Sequence, residues 1–124
     1  MLVRREWRQP AENPIQMLSG YRLMWMIVMF DLPVVEDSDR KAATGFRNFL
    51  LDQGFEMAQF SVYMRFCSGP EHAQTYTRRI KEALPLGGKV DVLFFTDKQY
   101  ENILSFRGHN LNPPPKNPDQ FVLF

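Results

Sequence analysis

Residues 24–37 read MWMIVMFDLPVVED: seven apolar side chains in succession, Met24 to Phe30, then Asp31, Leu32 and Pro33. A half-exposed strand alternates apolar and polar residues. A run that is apolar at both parities reads instead as a strand buried on two faces, and Leu23–Asp31 is assigned as the first strand. Pro33 has no N–H to give to a ladder and ends it. Asp31 at the mouth of such a strand is either an ordinary terminator, solvating the turn before Pro33, or a placed functional group.

Downstream, residues 35–55 (VEDSDRKAATGFRNFLLDQGF) carry a helix signature. Asp37 or Ser38 can cap it, Ala42/Ala43, Phe46 and Phe49/Leu50 recur at helical spacing, and Gly54 is a stop. Gly45 inside the helix costs about 1 kcal/mol relative to Ala, which suggests close packing at that point. Residues 55–66 (FEMAQFSVYMRF) read as one long extended run or two strands with a tight bend, placing Ser61, Val62 and Tyr63 mid-strand. A second helix is expected over about Glu71–Ala83, with Ala73, Tyr76, Ile80 and Ala83/Leu84 inward, ended by Pro85 and Gly87-Gly88. Val90–Phe95 is a strand, and Asp97–Phe106 a short amphipathic segment.

Strand, helix, strand, strand, helix, strand is the split βαβ, or ferredoxin-like, order. The expected fold is α+β, a four-stranded antiparallel sheet with both helices on one face. Met24, Met26, Val28 and Phe30 share one parity of strand 1, and Trp25, Ile27 and Met29 the other; strand 4 sets Val90, Val92 and Phe94 against Asp91, Leu93 and Phe95. Two helices cover one face only. The second face is too apolar to remain in water, so a face-to-face homodimer through Trp25, Ile27 and Met29 is expected, with Asp31 at the rim of that face.

At 124 residues the chain has the length of one domain. Residues 1–20 read as an extension, 21–107 as the domain, and 108–124 as a proline-rich tail. In the tail, NPPPKNP runs extended and Phe121, Val122, Leu123 and Phe124 form a terminal strand that adds to a sheet edge of the dimer mate or another partner. A net charge of +1 neither demands nor excludes nucleic acid. Cys67 is the single cysteine, so no internal disulfide forms and a reducing cytoplasm is the expected location. The apolar run falls well short of the roughly 20 residues of a membrane span. Arg4, Arg5 and Arg8 precede it, but without the layout of a signal peptide.

Basic residues cluster at Arg40, Lys41 and Arg47 in helix 1 and at Arg78, Arg79 and Lys81 in helix 2. Each cluster is either a solvated outer face or, doubled in a dimer, a track for phosphates. If the dimer axis passes the strand 1 ends, two Asp31 carboxylates approach, and a shared hard cation relieves their repulsion. No His or second acid lies near Asp31 in sequence. His72 and His109 lack partners at metal-ligand spacing, and Cys67 reads as a buried thiol.

The strand end MFDLP, the stretch GFEMAQFSVYMR and the stretch GKVDVLFFTDKQYENI together resemble the CRISPR-associated protein 2 family, closest to members from type II systems, over about Tyr21 to Arg107. The resemblance implies a cytoplasmic, prokaryotic homodimer of the spacer-acquisition machinery. It would bridge dimers of the CRISPR-associated protein 1 integrase and hold duplex DNA for insertion into the repeat array. It also implies a Mg²⁺- or Mn²⁺-dependent endonuclease acting on DNA or RNA, with Asp31 as metal ligand and catalytic residue. The basic helix residues match the family only loosely. Two other classes share the topology. An RNA-binding module would show a basic-Gly-aromatic pattern in a central strand, which FSVYMRFC lacks; a small-molecule regulatory domain would need a polar pocket at a helix N-terminus.

Overall fold

The computed structural model describes residues 24–108. The first strand, β1 (Met24–Asp31), leads into α1 (Asp37–Asp52), then β2 (Glu56–Gln59), β3 (Val62–Cys67), α2 (Pro70–Glu82), β4 (Lys89–Thr96) and a short α3 (Asp97–Glu101). The strands form one four-stranded sheet in the order β2-β3-β1-β4, and every neighbouring pair is antiparallel. Each long helix links strands that are not neighbours, β1 to β2 across β3 and β3 to β4 across β1. That is the ferredoxin-like arrangement the element order implies. The extension, His109 and the terminal Phe121–Phe124 lie outside the described residues.

Central position explains the composition of β1. With β3 on one side and β4 on the other, both its backbone edges are paired, and both its side-chain faces meet protein. The even residues are the more deeply buried: Met24, Met26 and Val28 are fully enclosed beneath the two helices. Ala43, Phe46 and Leu50 of α1 and Ala73 and Ile80 of α2 are the buried stripe above them. Phe46 meets Phe30 edge-on at 5.3 Å between ring centres. Fully burying a large apolar side chain contributes roughly 1.5–3 kcal/mol, so this layer is the main source of stability.

Local boundaries differ in instructive ways from the sequence expectation. The cap of α1 is Glu36, one residue earlier than expected, and the Asp39 carboxylate accepts the Glu36 N–H at 3.3 Å. Gly45 is exposed and a Cβ there would meet nothing within 4 Å, so no close approach explains that glycine. Residues 55–66 divide into β2 and β3, with Phe60 and Ser61 as the turn. Ser61 is therefore not mid-strand: it has φ 62°, a left-handed conformation uncommon for a residue with a side chain. Its carbonyl accepts the Phe30 N–H at 3.0 Å, which ties the hairpin tip to the end of β1.

The end of β1 is also fixed from the other side. Gly88 has φ 72°, and a Cβ there would stand 2.5 Å from the Asp31 carbonyl oxygen and 3.0 Å from the Leu32 Cα. The α2–β4 loop thus lies directly against the backbone that presents Asp31. Gly88→Ala should lower unfolding free energy by at least about 1–2 kcal/mol from the left-handed backbone alone, with the clash adding to it. Chemical denaturation measures this, and a variant as stable as the parent would contradict the close approach.

Candidate functional site

The odd residues of β1 define the second face of the sheet. Register places Trp25 beside Phe66 and Phe95, Ile27 beside Met64 and Leu93, Met29 beside Val62 and Asp91, and Asp31 beside Lys89. The expectation that this face is left wholly bare needs correction, because α3 folds across one end of it. The Tyr100 ring stacks on Trp25 with centres 4.1 Å apart, and Phe66 closes on Trp25 edge-on at 5.0 Å. The Trp25 Nε1–H donates to Asp97 Oδ1 at 3.1 Å, and the Tyr100 hydroxyl faces the Met64 sulfur at 3.9 Å.

The cause of this turn is legible at the start of α3. Thr96 Oγ1 accepts the Gln99 N–H at 3.1 Å while Gln99 Oε1 accepts the Thr96 N–H at 2.9 Å. This reciprocal capping box starts a helix immediately after β4 and swings Tyr100 back over the sheet. Burial pushes the Tyr100 phenol above its ordinary pKa, with the Glu56 and Asp97 carboxylates adding to the shift. Trp25 is thus engaged within its own chain. Ile27 and Leu93 remain half-buried and Met29 is 40% exposed; they form the open end of the face, where Asp31 lies.

The Asp31 side chain is exposed and makes no hydrogen bond or ion pair among the described residues. A second carboxylate, missed in the sequence reading, stands close by. Asp91 is on the same face of the adjacent strand, two register positions from Asp31, and its Oδ2 is 3.6 Å from Lys89 Nζ. The signal was present in the strand 4 alternation, which sets Asp91 at the parity of Leu93. No group of three His, Cys, Asp or Glu side chains converges among the described residues. A single chain therefore presents one unengaged carboxylate at this point. Such a donor suits a hard cation that keeps most of its waters and draws a second carboxylate from elsewhere.

The basic residues separate into engaged and free. Arg40 is engaged: its Nη1 donates to the Val34 and Val35 carbonyls at 2.9 and 3.0 Å, and its Nη2 pairs with Asp37. It fastens the loop between β1 and α1. Arg79 is engaged as well, donating from Nη1 to Gln53 Oε1 at 2.8 Å. Lys41, Arg78 and Lys81 are exposed, and Arg47 is half-buried. Arg65 runs on the helix side of the sheet to the end of α1, where its Nη1 donates to the Gln53 carbonyl at 3.0 Å. His72 Nδ1 is 2.9 Å from Ser68 Oγ. Cys67 is fully buried, and loss of hydration raises its thiol pKa to about 11 despite the opposing charge of Arg65, so it is an inert core residue.

Element order and sheet topology together define a small ferredoxin-like α+β protein. Residues 24–103 match the family described as CRISPR associated protein Cas2. A protein of Paracidovorax avenae named CRISPR-associated endoribonuclease Cas2 is 61% identical over 108 residues, covering 87% of this chain and 100% of the relative. One of the same name from Flavobacterium psychrophilum is 44% identical over 107 residues, covering 86% of this chain and 93% of the relative. A solved structure titled "Crystal structure of cas2" superposes with a TM-score of 0.54 at 20% identity, over 77% of this chain and 98% of that one, which supports the fold. The chain belongs to the Cas2 family.

The stack on Trp25 yields a direct expectation. Tyr100→Ala should cost about 3 kcal/mol, the lower end for deleting a buried aromatic ring, and shift Trp25 emission toward that of a solvated indole. Unchanged stability and emission would show that α3 does not cover the face.

Proposed function

We propose that two copies of this chain pair through the open end of the second sheet face, and that the dimer binds nucleic acid and hydrolyses phosphodiester bonds with Mg²⁺ or Mn²⁺ at the paired Asp31 carboxylates. The observation that carries this reading is the position of Asp31, an unengaged carboxylate at the rim of an apolar surface. Ile27, Met29 and Leu93 supply that surface. Face-to-face pairing through it removes apolar area from water at roughly 25 cal/mol per Å², and a twofold axis near the β1 ends would bring each Asp31 toward its counterpart.

Each residue then has a stated task. Asp31 supplies one carboxylate per chain to the shared site, and the two negative charges that would otherwise repel become its ligand set. A divalent cation held there would polarise a phosphoryl oxygen and lower the pKa of a bound water. Gly88 and the Ser61 carbonyl fix the backbone on either side of Asp31, so the two carboxylates meet in a defined geometry. Asp91, paired with Lys89, stands beside the site without a free charge to contribute. Lys41, Arg78 and Lys81 offer exposed positive charge for phosphates, in a sequence-independent way.

Within a CRISPR system, we further assign the dimer the role of an adaptor in spacer acquisition, bridging integrase dimers across duplex DNA. One unengaged carboxylate per chain makes a sparse hydrolytic site, which suits a protein whose main task is to hold nucleic acid. The names of the relatives point to RNA as the hydrolysed substrate, and both polymers present the same phosphodiester to Asp31.

Hydrolysis of labelled RNA and DNA by the full chain should require Mg²⁺ or Mn²⁺ and stop with chelator. Asp31→Ala should reduce the rate roughly a hundredfold or more, the scale of losing a group that acts on the transition state, while sedimentation still reports a dimer. Ile27→Asp should dissociate or aggregate the dimer, since pairing would bury two unpaired charges. Activity that survives chelator or the Asp31 substitution would overturn the catalytic reading; a monomeric parent would overturn the shared site.

A further inference from the structure

Arg65 lies on the side of the sheet that the helices cover, opposite Met26 in the register of β3 and β1, and Met26 is fully buried. A guanidinium starting from such a place has to travel to find acceptors. It reaches the C-terminus of α1, where Nη1 meets the Gln53 carbonyl, and its Cζ lies 4.2 Å from the centre of the Tyr76 ring. The last turn of α1 contains no basic residue of its own, so Arg65 also meets the negative end of that helix.

Arg79 of α2 converges on the same two groups. Its Nη1 donates to the Gln53 side chain at 2.8 Å, and its Cζ is 5.3 Å from the Tyr76 ring centre. One residue, Gln53, thus holds two guanidiniums, one through its carbonyl and one through its amide oxygen, and one ring gathers both by cation–π attraction. Gly54 leaves the room for this: it has φ 88°, and a side chain there would occupy the place of Arg65 Nη1.

Among the described residues the arrangement lacks a counter-charge: neither Arg65 nor Arg79 has a carboxylate partner there. Arg65 Nε is buried without an acceptor. Two guanidiniums held on one residue and one ring without a carboxylate, one of them short of an acceptor, make a setting that an anion would complete.

We propose that Arg65 and Arg79, stacked on Tyr76 and fastened to Gln53, form a preorganised clamp for a phosphate of the nucleic-acid backbone. The inference rests on the nucleic-acid reading given above and names where that backbone is gripped. Planar guanidiniums with fixed orientation match phosphate oxygens in pairs. The neighbouring Arg78 and Lys81 on α2 are exposed and continue the positive charge, which suits a polyanion better than a lone carboxylate. The clamp is remote from Asp31: it lies on the opposite face of the sheet, and Met26 and Asp31 are five residues apart on β1, or about 17 Å at strand rise. Arg65 and Arg79 are therefore positioning residues, holding the polymer away from the hydrolytic carboxylate.

The test is a titration of the full-length protein with inorganic phosphate, followed by NMR of the arginine Nε–H signals, with chloride at equal ionic strength as control. The signals of both Arg65 and Arg79 should shift with phosphate and not with chloride. In parallel, Arg79→Lys should weaken duplex binding roughly tenfold although charge is retained, because Lys offers no fork. Lys98→Arg, at an exposed residue of α3 on the other side of the sheet, should change it by no more than about twofold. Signals that stay fixed under phosphate overturn the clamp and leave Arg65 as a helix cap alone. Signals that shift while the parent protein binds no duplex support the clamp as a phosphate site and count against the nucleic-acid reading.

Discussion

The central place of β1, paired along both edges and fully buried on its helix-facing side, is the constraint on which the rest of the structure depends. Met24, Met26 and Val28 have no exposed surface, and β3 and β4 pair with β1 along its two edges. Neither long helix would have an apolar surface to cover without it, because Phe46, Leu50 and Ile80 pack on the layer that this strand centres. The carboxylate at its end inherits that rigidity. The Ser61 carbonyl holds the Phe30 N–H, and Gly88 lies against the Asp31 backbone.

A sheet with two apolar faces has to cover both, and this chain does so unequally. On one face the helices complete a core. On the other, α3 covers only the Trp25 end through Tyr100, leaving Met29 and its neighbours partly in water. In the proposed dimer this asymmetry connects packing to function, because the open end and the unengaged carboxylate coincide. The helix side shows the complementary pattern. There two guanidiniums, those of Arg65 and Arg79, share Gln53 and Tyr76 without a carboxylate partner among the described residues. The unengaged Asp31 carboxylate and the two gathered guanidiniums thus lie on opposite faces of one thin sheet.

Much of this was legible in the sequence, and the omissions share a cause. Strand and helix periodicity placed every major element, since period is a local property, and the parity of β1 and β4 sorted side chains correctly between faces. Asp31 was singled out because an acid after seven apolar residues breaks a pattern. The features not read were those that depend on chain reversal. Thr96 and Gln99 start α3 by a local capping box, but that Tyr100 would land on Trp25 follows only from the sheet register. Asp91 reaches the side of Asp31 through strand pairing, not sequence proximity. Charge counting could not tell Arg40, absorbed by Asp37 and two carbonyls, from the free Arg78. Ser61 in a glycine-like conformation gave no compositional warning.

The central claim is that Asp31 becomes a metal site only when two chains share it, and ion stoichiometry tests this most directly. Titration of Mn²⁺ into the parent protein and into Asp31→Asn, with bound ion read by electron paramagnetic resonance, counts ions per chain whether or not any substrate is present. A shared site of two carboxylates predicts one tightly held ion for every two chains, lost in Asp31→Asn. One ion per chain, or binding that persists in the variant, would contradict it.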